Sequence, residues 1–366
     1  MDDLVGRVVD LAIQIQQIPA PTFAEEQRGE FVKSLFLKEN LKDISVDSIG
    51  NVFGRLPGKH RKSKPLIISA HLDTVFPASI NLQIKKENGK IFAPGIGDNS
   101  LGVAALLGIV WALRERNIEL QHDVWVVANV GEEGLGDLRG MRAVVDRFDN
   151  DVIGYLILEG LALGHVYHRA IGVRRYRINV NTAGGHSWSD YGQPSAVHEL
   201  AALITKITAI RLPREPRTTM NVGTILGGTG INVLAAEAKC ELDLRSEDSQ
   251  TLKKLASQIE EMLVKASREG VKVTAEVIGE RPAGEIMAEH ALVQLALTCM
   301  QEQNLSASLT AGSTDANIPL SLGIPAVVMG ITTGGSAHTT NEYINLGPVK
   351  NGMDSIIGFV ERAFDC

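Results

Sequence analysis

Three apolar runs in this chain stop at a histidine or a glutamate, and that restricts the fold more than any other feature. Residues 66–70 lead to His71, residues 124–130 to Gly131-Glu132-Glu133, and residues 153–158 to Glu159. A fourth run, Ala326-Val327-Val328, opens into a loop that carries His338. Continuous apolar runs of this length read as buried strands. Segments with helical spacing lie between them, from about 99 to 117 and near 138–148. Strands alternating with helices specify α/β layers around a largely parallel sheet, and such sheets place ligands just beyond their strand ends.

The remainder of the chain divides in two. Residues 3–18 and 24–40 have helical spacing, broken by Pro19 and Pro21, and 44–56 is strand-like. From 168 to 282 the texture changes to strand 171–182, helix 193–211, strands 219–226 and 236–245, helix 249–268 and strand 271–279. That β-α-β-β-α-β order is the ferredoxin-like pattern. The α/β texture then resumes with helix 289–303, strand 307–310, helix 315–322, strand 325–329 and helix 348–364. The expected architecture is a discontinuous catalytic domain (1–167 and 283–366) interrupted by an α+β domain (168–282).

Composition excludes several classes. The 366 residues carry 36 Lys+Arg against 43 Asp+Glu, a net charge of −7, which gives no electrostatic reason to expect nucleic acid or an anionic membrane. The basic stretch 59–64 reads as a solvated turn. Cys240, Cys299 and Cys366 form no CxxC, which suits free thiols in a reducing cytoplasm. The acidic N-terminus lacks the basic start of a signal peptide, and no uninterrupted apolar run reaches the ~18 residues of a membrane span.

The polar clusters carry the chemistry. Two imidazoles and several carboxylates suit zinc or a similar divalent ion, and a shared carboxylate suits two ions side by side. In extended chain Asp73 projects to the same side as His71, so it is expected to accept the second ring N–H and orient the imidazole. Asp98 lies in a glycine-rich loop opening a helix; Asn99 or Ser100 can cap that helix, leaving Asp98 free to bridge. Of the adjacent pair, Glu133 is assigned to metal and Glu132 to a general base.

These motifs, S-A-H-L-D-T-V, G-I-G-D-N-S-L-G, G-E-E-G, L-E-G and A-H-T-T-N-E, occur in the order found in the M20 metallopeptidases, which the whole chain resembles. The resemblance implies that His71 and Glu159 bind one metal, that Glu133 and His338 bind the other, and that Asp98 bridges them through a cis Asp98-Asn99 peptide. It further implies zinc, with cobalt or manganese as alternatives, and a metal-activated hydroxide whose proton passes to Glu132. The inserted domain becomes a lid and a dimerisation domain. His186 would then serve the neighbouring subunit's site, Asn232 and Arg245 the substrate's carbonyl and carboxylate, and Ser313 the substrate wall.

The implied activity is cleavage of an amide bond in a small peptide or an N-acyl amino acid. Peptidase T and related aminopeptidases usually have Asp where this chain has Glu159, whereas Glu is commoner in carboxypeptidases and deacylases, so the substrate class stays open. The alternatives are an M28/M42-type aminopeptidase, disfavoured by the place and order of the insertion, and a non-catalytic binding protein on the same fold. A serine hydrolase is disfavoured because no G-x-S-x-G occurs.

Overall fold

The computed structural model describes residues 3–60 and 63–365. Arg61 and Lys62 of the basic turn, and Cys366, therefore lie outside the described residues. The chain forms two compact units, residues 1–170 with 285–366, and residues 171–284.

In the first unit the strands Leu66–His71, Val124–Asn129, Gly154–Glu159 and Ala326–Gly330 run parallel to one another at the centre of a mixed sheet, flanked on each side by an antiparallel strand. Helices cover both faces, which explains why these strands are continuously apolar rather than alternating. Register brings their C-terminal ends level: His71 pairs with Asn129, and Glu159 with Gly330. The strand-like region 44–56 is an antiparallel hairpin, Lys42–Val46 and Val52–Leu56, at one edge. Its turn is tied by the Asp47 carboxylate, which accepts N–H groups from Ile49, Gly50 and Asn51.

The helix Leu101–Glu115 lies deep in this unit, with Leu106, Leu107, Ile109 and Val110 fully buried. Burying each such side chain contributes about 1.5–3 kcal/mol. Gly108 lets it approach its neighbours, since a Cβ there would stand 2.6 Å from Val8 and 2.8 Å from Met353. The segment Ile96–Glu115 does have the length and apolarity of a membrane span, but 89% of its apolar window is buried, as in the core helix of a globular domain.

The second unit is an antiparallel sheet in the order Thr218–Gly227, Glu237–Ser246, Gly172–Thr182, Val271–Arg281, with helices Ala196–Thr208 and Ser249–Ala266 packed on it. Along its second strand Ala238, Cys240, Leu242 and Leu244 point inward, while Lys239, Glu241, Asp243 and Arg245 point away from the core. This alternation marks a sheet with one covered face.

Two features differ from expectation. The strand His165–Ala170 belongs to the first unit's sheet, so that unit runs to Ala170 rather than to 167. A small sheet, Gly334–Gly335, Tyr343–Asn345, Lys90–Phe92 and Lys85–Glu87, was not foreseen. It brings the end of the His338 loop beside the start of the Asp98 loop.

Candidate metal centre

The aligned strand ends gather two donor groups, His71 with Asp98 and Glu159, and Asp98 with Glu133 and His338. Asp98 is common to both. Its Oδ1 lies 3.1 Å from His71 Nε2, and its Oδ2 lies 2.9 Å from His338 Nε2. Each oxygen of one carboxylate thus faces a different imidazole. His338 Nε2 is also 3.2 Å from Glu133 Oε1, and His71 Nε2 is 3.9 Å from Glu159 Oε2. Glu132 belongs to neither group among the described residues.

Local structure explains these positions. A wide turn, Ile96–Ser100, precedes the central helix, and the Asp98-Asn99 peptide is cis. Neither Asn99 nor Ser100 caps the helix with its side chain, contrary to expectation. Asn99 instead donates to the Leu158 carbonyl (2.8 Å) and accepts from the Gly160 N–H (3.1 Å), gripping the chain on both sides of Glu159.

Asp73 is fully buried, but its role is broader than expected. His71 Nδ1 lies 3.0 Å from the Asp73 main-chain carbonyl and 3.5 Å from its carboxylate, so the shorter contact is to the backbone. The carboxylate accepts N–H groups from Glu132 and Glu133, both at 2.9 Å, and the Thr22 hydroxyl at 2.9 Å. It holds the Glu132-Glu133 turn in place.

The electrostatics demand positive charge. Burial pushes Glu159 well above its usual carboxylate range, with Asp98, Glu132 and Asp315 adding to the effect and His71 only partly offsetting it. Burial opposes the charged form of His71, yet Asp73 and Asp98 outweigh it and hold the ring well above its ordinary value. Asp98 and Glu133 raise His338 to about 10. Asp98 is held below its usual range because the two histidines overcome its burial. Divalent cations placed among these carboxylates would offset the same repulsion. The buried Oε1 of Glu133 faces the His338 ring at 3.2 Å without hydrogen-bond geometry, as two ligands of one ion would. The residues present fit a pair of ions.

Further residues around the centre make contacts that the sequence does not announce. Asn129, level with His71, donates to the buried Asp315 carboxylate at 2.7 Å. Glu342 is fully buried and receives N–H groups from Gly95, Gly97 and Asp98. Burial lifts its carboxyl to about 7. Ser313 is half-buried on the loop before Asp315.

The other anticipated residues lie in the second unit. His186 and Asn232 are exposed on one short ribbon, where Ser187 donates to the Asn232 carbonyl at 3.0 Å. Arg245 Nε donates to Asp243 at 2.8 Å, and Arg175 holds the other oxygen of that carboxylate at 2.8 Å.

Residues 67–362 match the model of "Peptidase family M20/M25/M40". The chain belongs to this family. Membership together with the donor groups makes it a metal-dependent amide hydrolase of the co-catalytic class. Among relatives, the M20-like chain is similar to the uncharacterized protein YqjE of Bacillus subtilis, 22% identical over 98% of each chain. Its fold is similar to that of a Staphylococcus aureus tripeptidase, with TM-score 0.84, 24% identity and 99% of each chain covered. It is also similar to a dinuclear metal-binding M20 peptidase from Bacillus subtilis, with TM-score 0.71, 14% identity and coverage of 100% and 99%.

Proposed function

We propose that this family member uses two divalent cations, zinc foremost, to hydrolyse an amide bond in a small peptide or an N-acyl amino acid. The observation that carries the reading is the Asp98 carboxylate, whose two oxygens face two different imidazoles. The dinuclear metal-binding peptidase and the tripeptidase of similar fold support it. His71 and Glu159 would hold one ion and Glu133 and His338 the other, with Asp98 shared. A pair bound there supplies Lewis-acid chemistry, activating water and polarising the scissile carbonyl.

The chain's own groups do the rest. Glu132, held by Asp73 through its backbone N–H, takes a proton from the attacking water and returns it to the leaving nitrogen. Arg245 binds a substrate carboxylate through its planar fork, while Asp243 braces its Nε. His186 and Asn232 meet the substrate carbonyl, and Ser313 forms part of the wall.

The active species in this reading is a homodimer in which His186 serves the neighbouring site. The strand Thr218–Gly227 is an edge of its sheet, with Ile225 and Leu226 more than half exposed, and pairing such an edge across a two-fold axis protects it. The reading places the enzyme in the cytoplasm, where the buried thiols of Cys240 and Cys299, which form no disulfide, stay reduced.

The deciding experiment is a screen of tripeptides, dipeptides and N-acyl amino acids, run before and after exhaustive chelation. Activity is expected to vanish and to return with Zn²⁺, Co²⁺ or Mn²⁺. Full activity with no metal detectable by elemental analysis would overturn the reading.

A further inference from the structure

We propose that Glu342 is a positioning residue that presets the spacing between Asp98 and His338, and so controls the affinity of one ion selectively. The inference rests on the two-ion reading above and concerns a side chain that supplies no donor atom to either group and meets Asp98 through its backbone N–H.

Glu342 Oε1 accepts the N–H groups of Gly97 (2.7 Å) and Asp98 (2.9 Å), and its Oε2 accepts that of Gly95 (3.1 Å). Its main-chain carbonyl accepts the Ala93 N–H (3.0 Å), and its own N–H goes to the Thr339 carbonyl (3.1 Å). Residue 342 therefore joins the loop that carries Asp98 to the loop that carries His338. The adjoining strands extend this tie, with Tyr343 paired to Phe92.

Converging backbone N–H groups make a concavity suited to an anion. Three of them need acceptors on both oxygen atoms, which a carboxylate supplies and an amide does not. Charge-assisted bonds are also about twice as strong as neutral ones. These bonds offset part of the cost of burying a second carboxylate near Asp98.

The other donor group has a separate anchor. Asn99 ties the same turn to Leu158 and Gly160, which flank Glu159. Loosening Glu342 therefore releases the Asp98–His338 spacing and leaves the Asp98–Glu159 side braced. Residues that orient ligands in this indirect way typically change metal affinity by about 10- to 100-fold.

The test is Glu342→Gln, which keeps size and shape but sets an NH₂ group against at least one N–H. Metal-free wild type and variant are titrated with Co²⁺, followed by visible absorption and calorimetry. The wild type is expected to take up two ions. In the variant one ion binds within about threefold of wild type, and the other is weakened by about 10- to 100-fold. Lost kcat returns at high Co²⁺ while KM holds. Wild-type affinity at both sites overturns the proposal, as does an equal loss at both sites accompanied by a fall in Tm, which marks a merely structural role. A wild type that binds no Co²⁺ brings down the two-ion reading itself, and this inference with it. Should the variant not fold, hydrogen exchange on metal-free wild type decides: Gly97 and Asp98 amides must be protected, and exchange at open-loop rates refutes the preset geometry.

Discussion

Replacing Asp73 by asparagine separates two accounts of that residue. If its task is to hold the Glu132-Glu133 turn, the change destabilises the protein even without metal. One carboxylate oxygen accepts Glu132 N–H, and the other accepts Glu133 N–H and the Thr22 hydroxyl, all at 2.9 Å in a fully buried position. An amide can keep its oxygen on one side only. The other side then loses a charge-assisted bond and leaves a buried backbone N–H facing an NH₂ group. A hydrogen bond to a charged group contributes about 1.5–3 kcal/mol, and an unsatisfied buried group costs about 1–3 kcal/mol. These ranges overlap rather than add, and removing a buried charge offsets part of the loss. A net destabilisation of about 2 kcal/mol is expected. Urea unfolding of the metal-free protein measures it, with Trp111 and Trp125 reporting from the first unit. Faster exchange of the Glu132 and Glu133 amides should accompany it. A change under about 0.5 kcal/mol, the scatter of a substitution that breaks no contact, would refute this and return Asp73 to His71 alone.

Glu132→Gln should retain both cations and bind substrate while losing about 10²–10⁴ in kcat, because the amide keeps the shape and removes the base. Near-normal turnover would transfer the role to Glu133. Arg245→Ala should raise KM for substrates with a free α-carboxylate by about 10- to 100-fold, equivalent to about 1.5–3 kcal/mol, and barely affect the matching amides. Equal penalties would make Arg245 a structural partner of Asp243. Mixing inactive His186→Ala with inactive Glu132→Gln should restore part of the activity after subunit exchange, since one site then combines intact groups from both chains. No recovery despite proven exchange would remove His186 from the neighbouring site.

The parallel core was readable because its strands are buried on both faces, so Leu66–His71 and Val124–Asn129 announce themselves by apolarity alone. The polar residues just past them were readable for the same reason. The second unit was legible through strict alternation, as in Glu237–Ser246. The small sheet was not, because Lys90–Phe92 and Tyr343–Asn345 are too short to show any period. The burial of Glu342 was hidden by the same fact: the residue closes the A-H-T-T-N-E motif, but its loop reads as polar until those short strands pair. The dual grip of Asn99 was likewise invisible, since its partners are backbone groups about sixty positions away. Asp73 was half-read: the period-two rule placed it beside His71 but said nothing of the turn that it supports.

The two histidines of the centre differ sharply in their access to water. The side chain of His71 is 1% exposed and that of His338 is 54% exposed. On the two-ion reading, ions therefore do not trade places with solvent at equal rates. The cation beside His338 is expected to exchange with solvent faster than the one beside His71. A protein first loaded with one metal and then moved to another keeps the earlier ion on one side and adopts the newer on the other. Its composition then records the order in which metals were met, and mixed-metal forms arise from kinetics without any difference in intrinsic preference.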